Sequence, residues 1–428
     1  MANGYRNGTR NVNRAHRLLS SLRMVARLDE TRTVTATAVF FLAGTLFALL
    51  TARWLGPSER GTLVVFMTTS SFLMLLGALG VTTGGRVLLN SDPGLTHRSL
   101  SRLGLRLTGI HALTAGSIGT AVLAVSGDSP PMQVRVVFVV FAVSQLYNYF
   151  TREMLHGSGW HTKAVLGDAL GSAVQTAGAA ALYAAGQLSI TTASLALLCG
   201  SITQSIWLSI LARRVESRTI ATELPWRATI RYSLPAMLTG IGQAFVIRGD
   251  RLLLGALAGT NAVGIYGVAA TFTEVLWLIP NAVGQVAFRR ASLSASAESL
   301  ARRRRTVLVF TAVGGATLAL VAGPAIDVLL GRAYSEARAL TYLLIVASLP
   351  MASYHMDLAV LNGRGALRSG SIATSIGSLV LCAGCLASVP SYGAWGAAWS
   401  SMAAYSVMAL VVRFAISRTN ASANPPGA

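Results

Sequence analysis

Acidic residues are the scarcest class in this chain. Fifteen Asp and Glu stand against 35 Lys and Arg in 428 residues, and charged residues together make up 12%. A soluble globular protein carries about 25%, so half of the usual charged surface is missing and a soluble enzyme or binding module is excluded. Cysteine is almost as rare. Cys199, Cys382 and Cys385 all lie in apolar sequence. The "CAGC" at 382–385 has the spacing of a redox or metal pair but no ligand partner nearby, so it reads as helix packing and no metal is expected. Catalytic motifs are also missing: there is no phosphate loop, no zinc-type His-Glu motif and no carboxylate pair on a polar connection. "HGSGWH" at 156–161 has two histidines without an acidic or thiol companion and reads as a turn. The sequence therefore predicts no enzyme activity and no cofactor.

What the chain does have is hydrophobic length. Apolar residues make up 53% and arrive in blocks near 20 long, the length a helix needs to cross a hydrocarbon core of about 30 Å. Twelve blocks are read, at 33–53, 61–81, 103–125, 134–155, 164–185, 190–211, 231–256, 263–288, 306–330, 340–362, 368–389 and 393–416. Period-two alternation is never sustained, which argues against a barrel. The expected fold class is an all-α integral membrane protein of about twelve transmembrane helices. About 30 polar residues precede the first block, so that block is expected to act as a retained signal anchor rather than follow a cleaved signal peptide.

A net charge of +20 would suggest nucleic acid as partner in a soluble protein. Its placement excludes that. With the N-terminal arm cytoplasmic, the arm, the even-numbered connections and the C-terminal end hold 28 Lys and Arg. The opposite side holds five: Arg53, Arg60, Arg135, Arg332 and Arg338. Such asymmetry is the positive-inside rule at work. It predicts a multi-pass membrane protein with both termini cytoplasmic.

The chain also repeats itself. "LHGSGWHTKAVLGDALGSAV" from Leu155 and "LNGRGALRSGSIATSIGSLV" from Leu361 match without gaps at Leu155/Leu361, Gly157/Gly363, Gly159/Gly365, Gly171/Gly377, Ser172/Ser378 and Val174/Val380, 206 residues apart. "WLGPSERG" and "LAGTNAVG" match at Gly56/Gly259 and Gly61/Gly264, 203 apart. Each half then holds six helices. An even number returns the chain to its starting side, so the halves relate by a pseudo-twofold axis along the membrane normal. The expected organisation is an Arg-rich cytoplasmic arm (1–32), an N-terminal six-helix lobe (33–211), a cytoplasmic linker (212–230), a C-terminal six-helix lobe (231–416) and a cytoplasmic tail (417–428). Proline divides unequally. The first six blocks have none inside, Pro57, Pro93, Pro130 and Pro131 all falling between blocks. Pro280, Pro324 and Pro350 lie within blocks of the second half. Interior prolines bend helices, which makes these three either static kinks or hinges of the C-terminal lobe.

The ordered motifs resemble a known family. "ARWLGPSERGTLVVF" is similar to the first loop of polysaccharide (O-antigen) flippases. "GDRLLLGALAGTNAVGIYGVAATFTEVLWLIPNAVGQVAF" resembles their most recognisable block. "LLGRAYSEARALTYLLIVASLP", "LNGRGALRSG" and "YGAWGAAWSS" follow in the same order, so the likeness covers roughly 33–416. The N-terminal arm is longer and more Arg-rich than is usual in that family. The family shares a superfamily and a fold with multidrug and toxic-compound extrusion transporters and the lipid II flippase. The resemblance implies a flippase that moves an undecaprenyl-diphosphate-linked oligosaccharide from the cytoplasmic to the outer leaflet by alternating access. Its partners would be that anionic lipid-linked glycan, membrane lipids and polysaccharide-assembly proteins.

The charges inside apolar blocks are the candidate site. Arg248 and Arg251 are three apart on one helix face, while Asp250 points about 100° from Arg251. Intramembrane charges face a partner or a watery cavity. The set is therefore either an internal salt-bridge group or a cationic patch for a diphosphate or acidic sugars, with Asp250 orienting the arginines. Glu274, near mid-membrane, would pair with Arg248 or Arg251 or couple transport to a cation. Asp168, Asp327 and Asp357 near block ends are explained by solvation. Gln145, Asn148, Gln175, Gln243 and Gln285 either line a sugar-accommodating cavity or bond helix to helix. Two other readings compete. A cation-coupled multidrug exporter of the same superfamily would want an acidic cavity, yet blocks 1–3 contain no acidic residue. A membrane glycosyltransferase or polymerase would want a sizeable outer loop, and none exceeds about ten residues.

Overall fold

The computed structural model describes residues 4–82, 84–85, 97–125, 130–216, 226–280, 283–284, 287, 297–364 and 366–423, and those residues contain no strand. Eleven α-helices follow one another: α1 (Gly4–Ala78), α2 (His97–Thr114), α3 (Thr120–Val125), α4 (Met132–Gly157), α5 (His161–Ala184), α6 (Ile190–Glu216), α7 (Trp226–Glu274), α8 (Ala297–Leu329), α9 (Ser335–Gly363), α10 (Leu367–Tyr392) and α11 (Ala394–Ala423). A π-helical turn, Ala115–Gly119, joins α2 to α3. Nine described stretches are long and apolar enough to cross a membrane.

Two of those nine are double length. Thr35–Ala78 has 44 residues and Gly240–Pro280 has 41, against the roughly 20 that one crossing needs. Each folds at a single glycine, Gly56 (φ 72°) in α1 and Gly259 (φ 81°) in α7. Left-handed φ is cheap only without a β-carbon, which is why the repeated element keeps glycine at both places. The loops expected between blocks 1 and 2 and between blocks 7 and 8 thus shrink almost to one residue. Pro57, placed in a connection by its sequence context, opens the second arm of α1, where its missing N–H costs nothing. The twelve apolar blocks map onto these helices when α1 and α7 are divided at their glycines and the less apolar α5 is included.

Side-chain contacts give the internal repeat a physical reason. Ser172 on α5 donates to the Phe40 carbonyl of α1 at 3.2 Å, and Ser378 on α10 donates to the Gly242 carbonyl of α7 at 3.3 Å. A β-carbon on Gly171 would lie 2.7 Å from the Gly200 carbonyl of α6, and one on Gly377 would strike Met408 of α11. In each half the same serine anchors the first helix and the same glycine admits the following one. Outward faces are apolar: Leu113, Leu320 and Leu379 are each at least 70% exposed, a surface that suits hydrocarbon and not water.

Helix bounds depart from the blocks in three places. The helix expected to run to 288 is interrupted after Glu274 by a 3₁₀ turn, Val275–Trp277, and is helical again at 278–280, 283–284 and 287. Pro280 explains this, because its ring presses on the carbonyl four residues back, that of Leu276, and offers it no N–H. Pro324 and Pro350 sit inside α8 and α9, and Pro390, read as lying outside a block, is inside α10. The ends of the expected 212–230 linker are helical, in α6 and α7, and 217–225 lie outside the described residues.

A charged seam as candidate functional site

The first arm of α7 presents two different faces. Phe245 packs on Phe72 of α1 with ring centroids 6.1 Å apart, so this face looks across to the first half. Val246, next along the chain, is fully buried and approaches the Gly377 position of α10, within its own half. Arg248 lies three residues beyond Phe245 and shares its face. It is exposed, and it forms no ion pair or hydrogen bond with any described residue. Asp250 lies four beyond Val246 and turns inward, 2% exposed.

Asp250 makes no hydrogen bond or ion pair to either guanidinium group among the described residues, although it interacts electrostatically with Arg251. Its Oδ2 accepts from the Tyr266 hydroxyl at 2.5 Å and from the Ser401 hydroxyl at 3.0 Å, and its Oδ1 accepts from the Arg251 backbone N–H at 2.8 Å. It ties together both arms of α7 and α11. A helical step of 100° per residue is enough to send it to these partners instead of to Arg248 or Arg251.

Arg251 pairs with Glu274, Nη2 to Oε1, across the two arms of α7. Of the alternatives for Glu274, the structure places it on Arg251, within electrostatic range of Arg248. The Nε of Arg251 is buried without a hydrogen-bond partner. Pro280 follows this pair by six residues, while Pro324 and Pro350 lie on other helices.

Arg60 is the residue that sequence reasoning missed. It was counted among the charges of the sparsely charged side, yet it is 5% exposed, on α1 just after the Gly56 kink. Its Nε and Nη1 are buried without hydrogen-bond partners, as is the Tyr334 hydroxyl. It interacts electrostatically with both Tyr334 and Arg251, so it joins the seam from the other half. One signal could have found it. The repeat offset of 203 puts Val263 at the equivalent place, and Val263 is fully buried. A position whose repeat mate is an apolar residue of the second half belongs to a helix and not to a loop.

The two kinks meet each other beside this cluster. A β-carbon on Gly61 would collide with the Thr260 carbonyl, and one on Gly264 with the Pro57 carbonyl. Ser58 and Thr260 share a hydrogen bond at 3.2 Å. Arg53 donates to the Leu329 carbonyl at 2.8 Å, where α8 ends; guanidinium groups suit the electronegative C-terminus of a helix. The halves are thus shut against each other at this end.

Other candidates resolve as packing. Asp168 takes Arg152 at 3.2 Å and Gln204 at 2.5 Å, and Asp357 takes Arg304 at 3.1 Å. Asp357 is buried, Asp168 is partly buried and both are paired, which corrects the expectation that solvent at a helix end explains them. Asn148 donates to Ser201 of α6 at 3.0 Å and Ser201 donates to Gln145 at 3.3 Å, so this pair bonds helix to helix. Gln285 lies outside the described residues. No group of three or more His, Cys, Asp or Glu that could hold a metal occurs among the described residues.

Solved structures share this architecture. One described as a lipid II flippase, MurJ, in an inward closed conformation superposes with a TM-score of 0.77 at 13% identity, covering 90% of this chain and 87% of that one. A multidrug resistance MATE family transporter of the MOP superfamily, inward-facing, gives 0.72 at 14%, covering 91% and 98%. The chain shares the fold of these structures. An outward-facing MATE structure gives 0.61 with 17% identity over 92% and 96%. Residues 163–339, from α5 into α9, match the family described as polysaccharide biosynthesis protein. The resemblance read from the motifs holds in both comparisons. Curated protein sequences give no match.

Proposed function

We propose that the chain is a flippase that moves an undecaprenyl-diphosphate-linked oligosaccharide from the cytoplasmic to the outer leaflet, for surface polysaccharide biosynthesis. It works by alternating access of two lobes, 33–211 and 231–416, with the arginine-rich end and both termini in the cytoplasm of a bacterial cell. The observation that carries this reading is the excess of cations in the seam. Arg60, Arg248 and Arg251 face two carboxylates, of which Asp250 is occupied elsewhere; among the described residues Arg248 forms no ion pair or hydrogen bond, and two nitrogens of Arg60 are buried without acceptors. Cations are retained inside a membrane where an anion or a watery cavity meets them, and a diphosphate offers oxygens suited to guanidinium forks. Cationic drugs suit such a seam poorly, which sets the multidrug reading second. The family and the lipid II flippase are consistent with the leading one.

The test is surface glycan in a deletion strain complemented with each variant, beside membrane protein level. Arg248→Ala removes no ion pair, so it should insert normally and lose export, with Arg248→Lys restoring only part because it lacks the planar fork. Arg60→Ala should behave alike. Full export by the Arg60→Ala/Arg248→Ala variant at normal abundance would remove the substrate role and leave these charges structural.

A further inference from the structure

A second site lies on the membrane-facing side of the first half, away from the seam. A groove of about 810 Å³ runs between the first arm of α1 and α5. The two helices are parallel there, since Ser172 and Thr176 of α5 bond Phe40 and Ala43 of α1 in step. Counted back from those bonds, Arg32 and Lys163 stand at the same level, at the arginine-rich end of the bundle. Neither has a carboxylate partner among the described residues. The Lys163 ammonium instead sits 4.1 Å over the Trp160 ring, which holds it at the mouth. Leu166, about 5 Å further along, and Val39 and Leu170, about 10 Å further along, form exposed apolar walls, and the buried Ala36 and Ala169 form a narrow floor.

We infer that this groove binds an anionic glycerophospholipid of the cytoplasmic leaflet, its phosphate between Arg32 and Lys163 and one acyl chain along Val39, Leu166 and Leu170. Charge decides the occupant. The lining contains two cations and no acid. A comparable groove of about 680 Å³ between α8 and the end of the α7 segment is different, because Glu298 there pairs with Arg302 at 3.2 Å. The level decides it too. Basic side chains with a tryptophan beside them, followed by an apolar channel, reproduce the order of headgroup, interface and hydrocarbon. The site does not depend on what the seam transports.

The experiment is native mass spectrometry of the full-length protein released from detergent, with phosphatidylglycerol, phosphatidylcholine or inorganic phosphate added. The wild type should retain one phosphatidylglycerol in preference to phosphatidylcholine. Arg32→Gln/Lys163→Gln should weaken that adduct on the order of 30-fold, the loss of two basic groups at an anionic interface. Ala173 is exposed at the far end of the groove, so Ala173→Trp keeps both cations, obstructs the chain and should weaken the adduct as well. Equal retention of phosphatidylcholine, displacement by inorganic phosphate, or unchanged phosphatidylglycerol binding in either variant would overturn the assignment.

Discussion

Gly264→Ala is the sharpest probe of the shut seam. The added β-carbon would stand 2.7 Å from the carbonyl carbon of Pro57 and 2.9 Å from its Cα, where carbon atoms settle at about 3.5–4.0 Å. Both neighbours are backbone and cannot rotate away, so α1 and α7 must separate by about 1 Å. Overpacking of this kind costs about 1–3 kcal/mol. The cost applies only while the kinks touch; the gain in helix propensity from glycine to alanine applies in every conformation and cancels. The ratio of shut to parted molecules should therefore fall about 5- to 150-fold. Ser58→Cys, in a chain with Cys199, Cys382 and Cys385 replaced, reports on this through its labelling by a membrane-impermeant maleimide. Ser58 lies at the contact, against Thr260. Labelling should rise with Gly264→Ala by the same factor, and Gly61→Ala should raise it without adding to the effect, since both relieve one contact. An unchanged labelling rate at normal membrane abundance would refute the idea that these kinks shut the halves.

Three further outcomes are expected. Reporter fusions after Asp128, Thr260 and Tyr392 should read outside and those after Asp92, Ser217 and Ser296 inside, a reversal at two or more sites contradicting twelve crossings with cytoplasmic ends. Arg251→Ala leaves Glu274 without its partner and should lower thermal stability by about 3–5 kcal/mol, with Arg251→Ala/Glu274→Ala recovering much of that; equal losses in single and double variants would mean the pair is not the source. Spin-label distances should show more internal bending in the helices carrying Pro280, Pro324 and Pro350 than in α2 to α6, and the reverse would count against a hinge role for these prolines.

The apolar blocks made the helices legible, because in lipid every span must satisfy its own backbone and be about as long as the bilayer is thick. The repeat was legible for a similar reason: Ser172, Ser378, Gly171 and Gly377 each do one local job twice. Partner choice was harder. Asp250 seemed to belong to the arginines beside it in sequence, but its orientation gives it to Tyr266 and Ser401, 16 and 151 residues away. Arg60 seemed to lie in a connection because it falls between the first two apolar blocks; the chain instead turns at Gly56 alone and carries Arg60 straight into a helix. Asp168 and Asp357 were assigned to solvent by their distance from a block end, whereas Arg152 and Arg304, on other helices, reach them. Hydrophobic length is a property of a segment. Pairing is a property of the packed bundle.

The contrast between Arg60 and Val263 has a consequence for how a duplicated architecture acquires direction. Two identical halves would offer any cargo two interchangeable addresses, one on each side of the axis, and a charged group could dwell at either. Here one copy of the kink carries a guanidinium and the other a valine, with Arg248 and Arg251 on the valine-bearing copy's own helix. The backbone keeps its twofold character while the charge distribution loses it, so the proposed anionic cargo would meet one cationic patch instead of two. An inexact copy can do what a faithful one cannot.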